Sequence, residues 1–426
     1  MKPRAGFSLS FALLAGVVLV AGLLAAGARV APAQPGNPTP LSSGAAGINL
    51  ASGRCGSCHP AERTAFETSV HAGEDVRCTS CHGGDASSLE QRVAHGNGFR
   101  GKPARSSVPT LCASCHADEK RMRAYNLPVD QYALYQTSGH GMRLKNGDPR
   151  VAVCSDCHGA HDILAPSDPA SRVFAANIPR TCGRCHGDTV LVKERGIPNT
   201  YALYESSVHA RQLHDKGNLG APTCVSCHGV HGAAPPAVGD VNKVCGRCHT
   251  AERRWFLAGP HRAGLSAAGL GECSSCHHSH DVQSARSERL GTLCADCHDP
   301  AGAEVAAGKQ LDTDYHAAAA EVAKADAMIA QADAVPLRTD DYHARIEEAR
   351  TYLREALTAG HAVQPEILAN YASRARAVGQ EVQHEIHGKL GNIRTERLLL
   401  IVFWFYVLGT AGILRRMRNR APRAQG

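Results

Sequence analysis

The sequence predicts a mostly α-helical chain with much irregular loop, a C-terminal helical arm and one transmembrane helix. Three observations predict it: a shortage of large apolar side chains, eighteen cysteines in nine copies of one short motif, and an apolar stretch near the C-terminus followed by arginines. Aromatic residues make up 5% of the 426, against 42 Gly, 22 Pro and 24 His. So few bulky side chains cannot offset the ordering entropy of so many turn-formers by ordinary burial. Something other than side chains must fill the interior of the motif-bearing part. The net charge of +7 gathers toward the C-terminus. No basic stripe is interleaved with aromatics, so nucleic acid is excluded as a partner.

In chain order, Lys2 and Arg4 precede an apolar run from Phe7 to Ala28 and then Ala31-Pro32-Ala33. This is a charged n-region, an h-region and an A-x-A site, which predicts a signal peptide over 1–33, cleaved after Ala33. The run is long for an h-region, so an uncleaved anchor is the alternative, and either one exports the chain downstream of it. A flexible linker is expected over 34–53. At the other end, Leu398 to Leu414 is free of charge and includes Phe403, Trp404, Phe405 and Tyr406. Its span of about 25 Å just crosses a hydrocarbon core. Arg415, Arg416, Arg418 and Arg420 follow, which keeps a basic tail, 415–426, on the cytoplasmic side. A buried soluble helix is the competing reading of that stretch.

The motif pairs are Cys55/Cys58 with His59, Cys78/Cys81 with His82, Cys112/Cys115 with His116, Cys154/Cys157 with His158 and Cys182/Cys185 with His186. Then come Cys224/Cys227 with His228, Cys245/Cys248 with His249, Cys273/Cys276 with His277 and Cys294/Cys297 with His298. Two thiols one helical turn apart can reach both vinyl groups on one edge of a haem and form thioethers. The adjacent imidazole then lies beneath the iron. A single Cys-x-x-Cys could be a zinc knuckle or a redox dithiol. Neither demands nine immediate histidines with no cysteine left over. The expected cofactor is therefore nine covalent haem c groups, and the fold class becomes a haem-filled array over 54–300.

Fifteen histidines lie outside the motifs. His71, His140, His209 and His261 each stand upstream of a motif, the first three as Ser-Val-His or Ser-Gly-His. His161, His231 and His280 each fall three residues after a motif histidine. Tyr132-Ala-Leu-Tyr135 before His140 is repeated as Tyr201-Ala-Leu-Tyr204 before His209. The unit is an upstream His, a motif, usually a His three further on, a loop and a second motif. It occurs four times behind a single leading motif, and such repetition predicts an array packed mainly on its neighbours.

Each unit needs two distal ligands. The last three units offer two each: His140 with His161, His209 with His231, and His261 with His280. In the first unit Gly-Gly-Asp follows His82, leaving His71 and His95. Eight distal ligands thus serve nine irons. The ninth is sought among His214, His278, His316, His343, His361, His384 and His387, with His361 first and His316 next. Only Met122 and Met142 lie in the motif region, so bis-histidine irons of low potential are expected.

Residues 301–397 are rich in Ala, Glu, Lys and Arg and lack cysteine. Ile346, Ala349, Leu353 and Leu357 recur at helical spacing, which predicts about three amphipathic helices broken near Pro336 and Pro365. A stalk is the plain role for this arm. His384 and His387, at i and i+3, raise the alternative of a proton-accepting quinol site near the membrane.

The chain resembles multihaem c-type cytochromes with doubled CxxCH motifs from bacterial anaerobic and metal-respiring chains. Residues 54–298 carry the resemblance through runs such as Cys154-Ser-Asp-Cys-His-Gly-Ala-His161. It implies short helices and loops around closely spaced haems, and a relay between a quinone pool or membrane dehydrogenase and periplasmic acceptors. The expected protein is an electron carrier more than an enzyme, with redox proteins and the quinone pool as partners. Its expected place is the periplasmic side of a bacterial inner membrane, held by the C-terminal helix. Related nitrite and hydroxylamine enzymes use an altered site, in some cases Cys-x-x-Cys-Lys, which is absent here. A reductase of a small nitrogen or sulfur oxyanion at one open haem, or a quinol-oxidising subunit, stands as the alternative.

Overall fold

In the first motif of the first three units, one turn of helix carries both cysteines. The computed structural model describes residues 53–232, 240–283 and 290–420, and among these the chain is mostly helical with no strand. The expected signal peptide over 1–33, the expected linker up to residue 52 and the tail from 421 to 426 lie outside the described residues. The short helices Cys78–His82, Cys154–His158 and Cys224–His228 share one start signal. The residue before the second cysteine caps the helix. Ser80 Oγ, Asp156 Oδ2 and Ser226 Oγ accept the N–H of Arg77, Val153 and Thr223 at 3.1, 2.7 and 3.0 Å. Such caps satisfy backbone donors that a helix this short leaves open. The second motifs of the first two units instead end nine-residue helices, Val108–His116 and Ile178–His186. Buried Pro109 and Pro179 stand near their starts, where a missing N–H costs nothing.

After the first motif of a unit the backbone must reverse at once. Gly83, Gly159 and Gly229 do so with φ of +69°, +90° and +81°, a region that glycine enters freely. The upstream histidines are positioned by caps of another kind. Ser69, Ser138 and Ser207 are buried and accept the N–H of His71, Gly141 and Ala210 at 3.2, 3.0 and 3.1 Å. Tyr135 and Tyr204, equivalent in the repeat, donate their hydroxyls to the carbonyls of Ala152 and Pro222 at 2.9 and 3.0 Å. Units are stitched by backbone bonds. Val70 N–H donates to Ile163 O, and Val208 N–H to Val282 O, both at 2.8 Å.

The C-terminal arm comprises the helices Ala303–Asp333, Asp340–Ala359 and Pro365–Arg420. They break where the two prolines predict. Ala325, Ile329, Tyr342, Ile346, Leu368, Val382 and Ile386 pack with small alanines into one core. Arg345 ties the second helix to Glu381 and Glu385 of the third, at 3.0 and 2.9 Å. Among the described residues, eighteen buried apolar side chains lie between 305 and 386, but only ten between 54 and 298. The shorter arm thus has a conventional core and the motif domain does not. The third helix runs on for 56 residues, about 84 Å. Its last part is apolar enough to cross a membrane, with mean hydropathy 2.0 and none of that window buried.

Candidate cofactor site

The eighteen motif cysteines face one continuous cavity of about 5200 Å³, which threads the motif domain and stops against the arm. All nine motif histidines also line it, as do His71, His95, His140, His161, His209, His231, His261, His280 and His361. These eighteen rings are arranged in twos. His59 faces His95 with ring centroids 6.2 Å apart, and His71 faces His116 at 6.0 Å. His82 faces His161 at 6.0 Å, His140 faces His186 at 6.1 Å, and His158 faces His231 at 6.0 Å. His228 with His280, His261 with His298, and His277 with His361 are each 6.0 Å apart. His209, finally, has His249 as a neighbour: burial first, and then that ring, holds its pKa below the usual imidazole value. Eight motif histidines thus face one ring from outside the motifs, and the ninth, His249, has His209 as its neighbour.

The pairing crosses the repeat boundaries, whereas the sequence suggests that each unit supplies its own two ligands. The upstream histidine of a unit does serve that unit's second motif: His71 with His116, His140 with His186, His209 with His249, His261 with His298. The histidine three residues after a motif serves the first motif of the preceding unit: His161 with His82, His231 with His158, His280 with His228. The reversal after the motif helix throws that segment back onto the earlier repeat, where Val70–Ile163 and Val208–Val282 hold it. The first unit lacks this histidine, and His95 meets the leading motif's His59 in its place. The last unit has no follower. His361, in the turn between the second and third arm helices, meets His277 instead. The backbone of Gly259 packs so closely on this turn that a Cβ there would come within 2.5 Å of Ala362 O.

Of the other candidates for the ninth ligand, His316, His214, His343, His384 and His387 do not line the cavity. His316 Nε2 lies 3.4 Å from Asp312, His214 Nε2 3.6 Å from Glu205, and His343 Nε2 3.2 Å from Asp333. His384 and His387 are exposed on the third arm helix. His278 lines the cavity, but its Nδ1 is held by Asp281 at 3.0 Å.

The chemistry of these rings suits axial coordination of a metal. Burial lowers the pKa of His71, His116, His140, His158, His186, His261, His277 and His280, with a neighbouring ring adding to it at most of them. All are therefore neutral at pH 7, the form that donates a lone pair. Where the second ring nitrogen has a carbonyl partner, the tautomer is fixed. His82 Nδ1 donates to Gly101 O at 2.8 Å, and His361 Nδ1 to Thr358 O at 3.0 Å. Both leave Nε2 as the nitrogen with a free lone pair. These two carbonyls escape sequence reading, because neither sits at a fixed offset from a motif.

The dimensions fit a haem held between two imidazoles. Metal–nitrogen bonds of about 2 Å, with about 1.1 Å from each nitrogen to its ring centre, give roughly 6.2 Å between centroids. Shared among nine motifs, 5200 Å³ is about 580 Å³ each, within the range of small-ligand sites. Among the described residues no three or more His, Cys, Asp or Glu converge as a zinc site requires. Two axial donors suffice only when the other ligands come with the group itself, as in a porphyrin.

Consecutive motifs are also neighbours in space. The first cysteines of alternate pairs lie within hydrogen-bonding reach: Cys55 and Cys78, Cys112 and Cys154, Cys182 and Cys224, Cys245 and Cys273. Between these, Cys81 lies near Cys115, Cys157 near Cys182, Cys227 near Cys245, and Cys276 near Cys297. Compared with protein families, with curated proteins and with solved structures, the chain matches none.

Proposed function

We propose that this chain is a membrane-tethered multihaem cytochrome c that relays electrons through nine covalently attached, bis-histidine haems. The observation that carries this reading is the one-to-one pairing of nine Cys-x-x-Cys-His histidines with nine others along a single cavity. When bound, haem supplies a one-electron Fe(III)/Fe(II) couple at each site. The protein supplies the rest. The paired cysteines would attach each group covalently, the short motif helices would present the motif histidine to it, and the histidine opposite would be the second protein ligand. Because motif follows motif in space, electrons would pass in sequence order from the Cys55 end to the Cys294 end or the reverse.

An oxyanion reductase needs one iron with an open position; against that reading, eight motif histidines face a second ring and the ninth, His249, has His209 beside it. The apolar end of the third arm helix supports anchoring in a membrane, and the arginines after it support a cytoplasmic tail. That orientation leaves the haem domain on the exported side. The test is electron paramagnetic resonance of the oxidised, full-length protein with integrated haem. Nine low-spin irons per chain are expected, and a stoichiometric high-spin signal would refute the relay.

A further inference from the structure

We infer, on the nine-haem reading above, that this chain exchanges electrons with a protein redox partner standing in the aqueous phase, and not with quinol or quinone dissolved in the bilayer. The arm residues that line the cavity are confined to its top: Ala303 to Leu311 on the first helix, and Leu357 to Leu368 around the turn that carries His361. From Leu368 the third helix continues unbroken for 30 residues before Leu398 opens the apolar segment, about 45 Å of helix.

This spacer is stiff. It is packed as a three-helix core from Leu368 down to Ile386, cross-tied by Arg345 to Glu381 and Glu385 and by Gln383 Nε2 to Glu321 O at 2.9 Å. Electron tunnelling falls exponentially with distance, so a gap of this size needs a stepping stone. Residues 312–397 contain no cysteine and no tryptophan, and their four tyrosines are far too hard to oxidise for low-potential irons to use. His384 and His387 lie near the membrane end, where a quinol site would be sought, yet they are exposed and remote from the cavity. They could move a proton, but no electron acceptor stands beside them. The stalk therefore lifts the haems next to the arm out of reach of the lipid. What the height suits is a protein whose own redox centre is presented well above the headgroups. Oxidation of quinol, where electrons come from it, falls to that separate protein.

Two measurements on the full-length holoprotein test this. In nanodiscs imaged by electron cryomicroscopy, the part of the motif domain packed against the arm, around His277 and His298, should stand about 40–50 Å clear of the bilayer surface, as the helix rise requires. That arm-side part resting on the headgroups would overturn the inference. In vesicles, the dithionite-reduced protein is followed at its haem α-band with and without menaquinone in the lipid, a downhill direction for bis-histidine irons. Reoxidation unchanged by menaquinone is expected, and acceleration of tenfold or more would overturn the inference. A protein with no reduced α-band at the outset would refute the nine-haem reading itself, a failure separate from a collapsed stalk.

Discussion

Replacing His361 with alanine removes the ring that faces His277, and it does so from the arm, some 60 residues beyond the last motif. No other histidine can take its place. His278 adjoins His277 in sequence and is held by Asp281, while His316, the next candidate, does not line the cavity. One iron in nine, about 11% of the haem, should therefore become five-coordinate and high-spin. Paramagnetic resonance near g = 6, integrated against total haem, reads this directly, and the ferrous form of that fraction should bind carbon monoxide. His361→Met should keep all nine irons low-spin while raising the potential of one, because thioether ligation favours the ferrous state. Far-ultraviolet circular dichroism should match the parent, since the arm core below the turn is untouched. If His361→Ala leaves every iron low-spin, or frees two, His361 is not the one ligand opposite His277.

The crossed pairing is tested in a chain that lacks the leading haem, Cys55→Ala with Cys58→Ala. There, adding His95→Ala should produce no new high-spin iron, whereas adding His161→Ala should produce one, at His82. Within the arm, Ile346→Ala empties a site that is 1% exposed, which should cost about 2–5 kcal/mol of arm stability by urea melting and leave the haem spectrum unchanged. Asp148 is held down to about 2, from an ordinary 3.8, chiefly by its bond to Arg195 and then by the N–H of Arg150. A carboxyl with a depressed folded pKa stabilises above its unfolded value and loses that contribution as pH falls through the folded one. Asp148→Asn should thus be less stable than the parent at pH 6, with the gap closing between about pH 4 and pH 2 in denaturant melts.

Much of this was legible in the sequence because the chemistry is local. Cys-x-x-Cys-His fixes three groups within five residues, and Ser-x-His and motif-x-x-His place further rings at constant offsets. The arm was legible for another reason: Ile346, Ala349 and Leu353 keep helical period, and Pro336 and Pro365 mark its breaks. What escaped was the register between units. Which ring meets which motif histidine depends on the reversal at Gly83, Gly159 and Gly229 and on backbone bonds such as Val70 to Ile163, none of which a repeat pattern encodes. His95 and His361 occupy equivalent roles at the two ends of the array without sharing a motif, because each replaces a repeat that is not there. The length of the stalk was readable from residue counts. Its consequence became visible only once the cavity was seen to end at Leu311 and Leu368.

The pairing of every motif with one outside histidine is tested most directly by counting haem and spin on the same purified sample. Pyridine haemochrome analysis against protein mass should give nine haem c per chain, and paramagnetic resonance should assign all nine to low-spin ferric iron. Fewer than nine haems, or a chain carrying zinc at its Cys-x-x-Cys pairs, would contradict it.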